Sequence, residues 1–249
     1  MNEVAHYKFD VQGYLILPDV LSQDEVAALN RLIDAQALDE PGLETSGARF
    51  GGYLSWGQPF CDLLDHAAIM PYLKVILGDG FRLDHYYGIY MRAGTERLNL
   101  HGGNTPYDPP EYYHFRNGHM YNGLTVVSWN LSDTGPEHGG FCCIPGSHKA
   151  NYPCPPEIKE NHVDSDMVVI PEAKAGSVVI FTEALTHGTA PWTASHQRRS
   201  LLYKYSPAQQ SWSKTHIQPP GDVTLTLRQQ LLFEPPYFHQ RQSLFEESE

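Results

Sequence analysis

The N-terminal part of the chain carries apolar residues at a helical period. The segment SQDEVAALNRLIDAQ, which begins at Ser22, places Val26, Leu29 and Ile33 on one face. Ser22 and Glu25 have the spacing of a capping box, in which each residue satisfies a free backbone N–H of the first helical turn. The pattern therefore predicts an amphipathic helix that packs its apolar face on a core.

Short apolar runs separated by Gly, Pro, Asp or Asn predict strands along the rest of the chain, with one further helix at 71–80. The predicted strands are 13–20, 81–94, 97–102, 123–133, 140–148, 166–171, 176–183 and 198–207. Short strands after N-terminal helices indicate a mainly β fold, a double-stranded β-helix (jelly roll) with the helices packed on one sheet. We expect a single domain over residues 1–249. A long insert loop at 102–122 is typical of a lid or a binding loop.

The composition narrows the classes of partner. The net charge of −12 repels phosphate groups, so we expect no nucleic acid and no anionic membrane as a partner. No apolar run approaches the ~20 residues that span a bilayer, and the N-terminus has no signal-peptide pattern. The four cysteines form no C-x-x-C pair and are expected to be free thiols. These observations predict a cytoplasmic protein.

Two of the thirteen histidines stand at strand ends. His101 ends one predicted strand, and His187 follows another; in a jelly roll these ends can meet inside the barrel. Two neutral imidazoles with open positions suit Fe(II), although two structural histidines would give the same pattern. Arg198 opens the last strand, where its guanidinium could hold the carboxylate of a dicarboxylic co-substrate.

The chain resembles the phytanoyl-CoA dioxygenase family of Fe(II)/2-oxoglutarate-dependent oxygenases. The resemblance runs from about residue 7 to residue 207, and its pieces, in family order, are FDVQGYLILPDVLSQDEVAAL, IYMRAGTERLNLHGG, VVSWNLSD, GGFCCIPGSHK, AGSVVIFTEALTHGT and RRSLLYKYSP. It implies Fe(II) and 2-oxoglutarate as cofactors, dioxygen as co-substrate, and oxidation of an unactivated C–H bond in a small molecule.

The resemblance also assigns residues. It implies that His101 and His187 bind the metal and that Arg198 holds the far carboxylate of 2-oxoglutarate. Thr189 matches a hydroxyl that helps to hold this carboxylate, and Trp129 matches a tryptophan that lines the co-substrate pocket. From the two-residue period of a strand, Asn99 shares the face of His101 and is expected to point into the barrel.

The chain departs from the family at Gly103, where the family has a metal-binding aspartate. A carboxylate from elsewhere could complete the site, with Asp108, Glu111 and Glu183 as candidates. Chloride could instead fill the gap, as in halogenases of this superfamily that have Gly or Ala at this position. A degenerate site is the third alternative. The His-x-Gly pattern favours the halogenase, and the neighbouring glycine, Gly102, leaves further room.

The patterns around the other histidines and around Arg199 do not indicate ligands. His148, in a PGSH turn, is expected to be structural, His114 and His119 to be exposed, and Arg199 to point outward, away from Arg198.

The rival functions are a non-catalytic jelly-roll binding module and a cupin-like metal isomerase or hydrolase. Neither rival needs a buried arginine beside the metal, so Arg198 separates them from the oxygenase.

Overall fold

The computed structural model describes residues 1–43, 47–160 and 165–245. The strands are β1 (Tyr14–Leu17), β2 (Ala48–Phe50), β3 (Arg82–Met91), β4 (Leu98–His101), β5 (Tyr113–Arg116), β6 (His119–Asn122), β7 (Thr125–Asn130), β8 (Gly140–Cys143), β9 (Val178–Thr182), β10 (His187–Ala190) and β11 (Arg198–Ser206). The helices are α1 (Glu3–Gln12), α2 (Gln23–Asp34), α3 (Gln58–Cys61), α4 (Met70–Leu77), α5 (Pro156–Glu160) and α6 (Leu227–Leu232).

Two antiparallel sheets face each other. The large sheet has the order β1-β9-β7-β11-β3-β2 and the small sheet the order β4-β10-β8, while β5 and β6 form a separate hairpin. The rings of Phe141, on the small sheet, and Phe181, on the large sheet, lie 4.6 Å apart across the gap. The fold is therefore a jelly roll, as the sequence predicted, with a core between the sheets.

The N-terminal helices cover the outer face of the large sheet. In α2, Ser22 and Glu25 form the predicted capping box, and Val26, Leu29 and Ile33 are buried. These side chains belong to one apolar cluster with residues of the large sheet. The predicted helix and its packing face are confirmed.

The side chains of β11 alternate between the two cores. Leu201, Tyr203 and Tyr205 pack in the cluster beneath the helices, and the tyrosine hydroxyls donate to carbonyls of Phe60 and Leu64, both at 2.7 Å. Leu202 packs in the cluster between the sheets. Since successive strand residues face opposite sides, Arg198 and Lys204 share the inner face with Leu202.

Several segments differ from the sequence-based expectation, among them helices α1, α3, α5 and α6, which the apolar pattern did not predict. Residues 166–171 form no strand; within this run Val169 makes an isolated bridge to Cys143, and its side chain is exposed. The segment 102–122 is not a plain loop, because it contains the β5–β6 hairpin. Helix α6, with its own capping box at Thr226, lies in the C-terminal tail.

The described residues contain neither a disulfide nor a helix that could span a membrane. The four cysteines, all in this part of the chain, are free thiols. Over the same ranges, no helix is both long enough and apolar enough to cross a bilayer.

Candidate metal centre

The ends of β4 and β10 bring the two histidines together. His101 and His187 are paired in register, and their ring centroids lie 4.3 Å apart. His101 is exposed at the open side of the barrel, whereas His187 is buried. The sequence anticipated this meeting, because both residues stand at strand ends that a jelly roll places at one edge.

Backbone carbonyls orient both imidazoles. Nδ1 of His101 lies 3.1 Å from the carbonyl oxygen of Asn99, and Nδ1 of His187 lies 2.7 Å from that of Leu185. A carbonyl oxygen only accepts, so each Nδ1 is the protonated donor and each Nε2 carries the free lone pair. Metal-binding histidines are commonly held in this way.

A carboxylate completes the cluster. Ligand atoms of His101, Glu183 and His187 lie within 4.8 Å of one another, and this is the one group of that kind in the described residues. Glu183 was one of the three carboxylates considered from the sequence. The other two, Asp108 and Glu111, are not part of the group.

Lys204 keeps the carboxyl group of Glu183 ionised. Its Nζ lies 2.5 Å from Oε1 of Glu183, and both side chains are buried. Burial raises the pKa of Glu183, but the ammonium of Lys204 and the nearby His187 outweigh burial and hold it at about 2. Burial and the neighbouring His101 lower the pKa of His187 to about 3. At neutral pH the cluster therefore presents a carboxylate and a neutral buried imidazole, the forms that bind a metal.

The two glycines after His101 have different surroundings. A Cβ on Gly102 would lie 2.6 Å from the carbonyl oxygen of Glu183 and 2.8 Å from that of Leu185. The expected free room at Gly102 is therefore filled by the backbone of the segment that carries Glu183. A Cβ on Gly103 would have one atom within 4 Å in the described structure, Oγ1 of Thr186 at 3.2 Å. Gly103 leaves the space that the sequence indicated, and none of the three ligand side chains lies within 4 Å of that Cβ position.

Arg198 is buried without an acidic partner among the described residues. One guanidinium nitrogen lies 3.3 Å from the sulfur of Met91, and Nε has no hydrogen-bond partner there. Burial lowers the pKa of Arg198 to about 10, which leaves it cationic at neutral pH. An unpaired buried charge is costly, so this pocket is built to receive an anion.

Thr189 and Asn99 have different relations to the cluster. Thr189 is buried, two residues after His187 on β10 and therefore on the same face. The side chain of Asn99 is exposed, as is that of His101, and both lie on the strand face opposite to the buried Leu100, at the open side of the barrel. The contact of Asn99 with the site is its backbone carbonyl.

The expectation for Trp129 is wrong. Trp129 pairs with Leu201 on β11, so it lies on the face opposite to Arg198. It is buried in the cluster beneath the helices, where its ring lies 5.4 Å from that of His66. The inner face of β7 at this level carries Ser128 and Asn130 instead.

The residue that sequence reasoning missed is Lys204. The two-residue period from Arg198 places Lys204 on the inner face of the same strand, and a lysine facing a core needs a carboxylate partner. That signal was present in RRSLLYKYSP. Arg199, one position from Arg198, points outward as expected and contacts Asp34 of α2 at 2.7 Å.

The 102–122 segment forms one wall of a large surface cavity of about 1100 Å³. The rings of Tyr107 and Tyr112 lie 5.5 and 5.3 Å from that of His114, in stacked arrangements. Both His114 and His119 are exposed, as expected. Beside this wall, burial together with Glu183 and Asp108 raises the pKa of Glu111 to about 7.

The two histidines and the carboxylate at one edge of the jelly roll match the ligand set of non-haem Fe(II) oxygenases. Residues 85–200 match the family model of phytanoyl-CoA dioxygenase (PhyH). Over this segment, which carries both histidines and Arg198, the chain is similar to this family of Fe(II)/2-oxoglutarate-dependent oxygenases, and the similarity indicates an enzyme of the oxygenase class.

Named relatives agree with this assignment. The chain is 25% identical over 226 residues to dioxygenase af480 of Aspergillus fumigatus, covering 86% of this chain and 67% of that protein. It is 26% identical over 218 residues to an ectoine dioxygenase of Sphingopyxis alaskensis, covering 73% and 68%. The fold is similar to that of HygX from Streptomyces hygroscopicus with nickel, 2-oxoglutarate and hygromycin B bound, with a TM-score of 0.74, 24% identity, and coverage of 85% and 89%.

Proposed function

We propose that this protein uses Fe(II), 2-oxoglutarate and dioxygen to hydroxylate an unactivated C–H bond of a small molecule. The observation that carries the proposal is the cluster of His101, Glu183 and His187 on the same barrel interior as the unpaired Arg198. Two imidazoles and one carboxylate are the ligand set of non-haem Fe(II) oxygenases. A buried guanidinium without a partner matches the distal carboxylate of a keto-dicarboxylic acid.

The residues of the chain divide the tasks. His101 and His187 offer Nε2 to the metal because their Nδ1 atoms are held by carbonyls. Arg198 would bind the distal carboxylate of 2-oxoglutarate, with Thr189 as a second donor. When bound, the iron and its co-substrates supply the oxidation of the C–H bond and the loss of carbon dioxide that leaves succinate.

Aromatic side chains keep the inner side of the centre dry. The rings of Phe181 and Phe141 lie 4.9 and 6.2 Å from that of His187, and Phe181 is buried. A water-poor wall strengthens every electrostatic contact inside the site and excludes side reactions of the oxidant with solvent.

Halogenation is the second candidate, and one observation favours it. Position 103 has no side chain, and Glu183 already has a cationic partner in Lys204, so the carboxylate could remain on the lysine while chloride takes the metal position. We place hydroxylation first because Oε2 of Glu183 faces Nε2 of His187 at 3.5 Å, within reach of a shared metal ion.

The substrate is proposed to be a ring-containing small molecule that approaches from the side of the 102–122 segment. The stacked aromatic rings and the polar groups of that wall suit a molecule with both apolar faces and hydroxyl or amine groups. HygX, whose fold is similar, holds the small molecule hygromycin B in its crystal structure.

The test of the cofactor assignment is anaerobic titration of Fe(II) and then 2-oxoglutarate, followed by visible absorption. We expect the charge-transfer band of a chelated keto acid. Arg198→Ala should weaken 2-oxoglutarate binding by roughly a hundred- to a few-thousand-fold, because removing one partner of a buried charge pair costs ~3–5 kcal/mol. Arg199→Ala is the matched control and should bind 2-oxoglutarate like the wild type, since Arg199 faces α2.

The same titration distinguishes the alternatives. If no band forms, or if Arg198→Ala binds as well as the wild type, the oxygenase mechanism is wrong for this chain, and a binding module or a metal isomerase takes its place. A band that shifts with added chloride, and shifts differently with bromide, would establish the halogenase. A halide-insensitive band that disappears in Glu183→Gln would support hydroxylation.

A further inference from the structure

The two oxygens of Glu183 face different groups. Oε1 lies 2.5 Å from Nζ of Lys204, and Oε2 lies 3.5 Å from Nε2 of His187. One oxygen of the carboxylate is thus ion-paired with Lys204, and the other faces the histidines.

Lys204 has no other acidic side chain within ion-pair distance in the described ranges. It is 9% exposed, and its Nζ lies over the ring of Tyr87, 5.3 Å from the centroid. On β11 it stands between Val126 of β7 and His85 of β3, in the middle of the large sheet. The side chain is therefore buried beside the ring of Tyr87, with Glu183 as its ion-pair partner.

The number of oxygens that Glu183 gives to the metal decides how many positions remain. A six-coordinate ion with two imidazoles and one carboxylate oxygen keeps three positions, of which a chelating keto acid takes two. If both oxygens of Glu183 were bound, the keto acid would fill the last two positions. No position would then remain for a further ligand.

We infer that Lys204 is a positioning residue that holds Oε1 of Glu183 away from the metal, so that the glutamate supplies one ligand atom and one position stays open. This inference rests on the proposed function, because it takes Glu183 as a metal ligand. The longer side chain of a glutamate is freer to chelate than the usual aspartate, and Lys204 compensates for that freedom.

A structural ion pair would show the same contact between Lys204 and Glu183. The difference lies in the metal complex. A lysine that merely stabilises the fold changes the unfolding temperature and leaves the number of water molecules on the metal unchanged. A lysine that holds Oε1 controls that number.

The experiment counts these waters with Mn(II), from the relaxation rate of solvent protons, in the intact chain without substrate. Lys204→Met removes the charge and keeps most of the stem. Lys204→Gln keeps an N–H donor and is measured in parallel, so that one variant decides if the other does not fold. Arg82→Met is the matched control, since Arg82 is a buried cation on β3, paired with Asp84 at 3.2 Å.

In the wild type, Mn(II) should keep one water after 2-oxoglutarate is added. In Lys204→Met the relaxivity with Mn(II) alone should fall by about a third, and with 2-oxoglutarate it should fall close to that of a metal without bound water. Lys204→Gln should lie between the two. Arg82→Met should lower the unfolding temperature and keep the wild-type relaxivity.

Equal relaxivity in the wild type and the Lys204 variants, with and without 2-oxoglutarate, would overturn the inference and leave the proposed function standing. Failure of the proposed function looks different: the wild type itself binds neither Mn(II) nor 2-oxoglutarate. If Glu183→Gln binds Mn(II) as tightly as the wild type and with the same relaxivity, Glu183 is not a ligand, and the role of Lys204 falls with it.

Discussion

Gly102 and Gly103 are adjacent glycines with different reasons for lacking a side chain. Close backbone atoms leave no room for a Cβ at Gly102, whereas at Gly103 the constraint is the backbone conformation. Both have left-handed backbones, with φ of 72° and 107°. At Gly102, carbonyl oxygens of the Glu183 segment occupy the place of a Cβ, so β4 and that segment approach closely. This approach is what brings His101 within reach of Glu183.

Alanine substitutions at these glycines should therefore differ in stability. Gly103→Ala meets strain of its positive φ and should cost about 1–2 kcal/mol. Gly102→Ala adds a clash with backbone that cannot move alone, and should cost roughly 3 kcal/mol or more. Urea unfolding of the two variants checks the order; equal losses would show that the close approach at Gly102 is not rigid.

Gly103→Asp restores the residue that the family carries, and we expect no gain from it. The added Cβ would face Thr186, and the backbone is strained for any side chain. Mn(II) affinity should stay at or below that of the wild type. A variant that binds Mn(II) more tightly and no longer depends on Glu183 would show that the aspartate position is still usable.

The histidines are the next test at this scale. His101→Ala and His187→Ala should each lose metal, whereas His148→Ala should retain it, as measured by metal analysis of the purified proteins. His148 is buried and its Nε2 lies 2.9 Å from the carbonyl oxygen of Asp10, so its loss should lower stability instead. Full iron occupancy in either of the first two variants would remove that histidine from the ligand set.

At the scale of elements, strand β11 carries the two buried cationic side chains of the site. Its inner face carries Arg198 at one end and Lys204 six residues later, about 20 Å apart along a strand. The sequence predicted the strand, because the run is apolar, and the role of Arg198 stays a prediction that rests on its place at the start of the strand and on the family resemblance. The sequence could not predict the partner of Lys204, since the Lys204–Glu183 contact depends on how β9 and β11 flank β7 in the sheet.

The same argument explains Trp129. A strand that is buried on both faces reads as a continuous apolar run, so the pattern does not tell which residues face which core. Every position of β7 is buried. The register with β11, a long-range pairing, decides that Trp129 faces the helices.

The β5–β6 hairpin is tied to α1 by a hydrogen bond from Tyr113 to the carboxylate of Asp10. Tyr113→Phe removes the hydroxyl and should destabilise the fold by about 1 kcal/mol, since Asp10 is partly exposed. Tyr121→Phe on the other strand is the control, because Tyr121 is exposed, and it should stay within about 0.5 kcal/mol of the wild type. Thermal or urea unfolding measures both, and equal effects would mean that Tyr113 does not anchor the hairpin.

For the whole molecule, buried histidine links stability to pH. Burial lowers the pKa of His148 to about 4, against about 6.5 in an unfolded chain. The unfolded state therefore binds more protons between pH 6.5 and 4, and the contribution of His148 to stability is lost as the pH falls through that window.

The metal-free protein should accordingly lose stability, by at most about 3 kcal/mol from this group, between pH 6.5 and 4. His148→Gln should be less stable at pH 7 and show a flatter dependence over the same window. Urea midpoints at half-unit pH steps test this. A variant curve parallel to that of the wild type would assign the acid sensitivity to other groups.

The architecture of the whole chain was accessible from sequence, because strand-like runs after an amphipathic helix leave few alternatives to a jelly roll. The single-domain boundary at 1–249, the cytoplasmic location and the absence of nucleic-acid partners stay predictions. The hairpin inside 102–122 was not anticipated, since its strands YHFR and HMYN have only four residues each and form by pairing with each other.

The position of Glu183 in the sequence also determines when the ligand set becomes complete during synthesis of the chain. With Glu183 as a ligand, two of the three ligand side chains, those of Glu183 and His187, come from the five-residue stretch 183–187. An aspartate at 103 would instead have placed two of the three ligands in the stretch 101–103. Joining His101 to this stretch closes a loop of roughly eighty residues, which costs about 3 kcal/mol more than closing the four-residue one. A growing chain therefore carries a single ligand until residue 183 has been synthesised, so metal capture follows the formation of most of the barrel rather than preceding it.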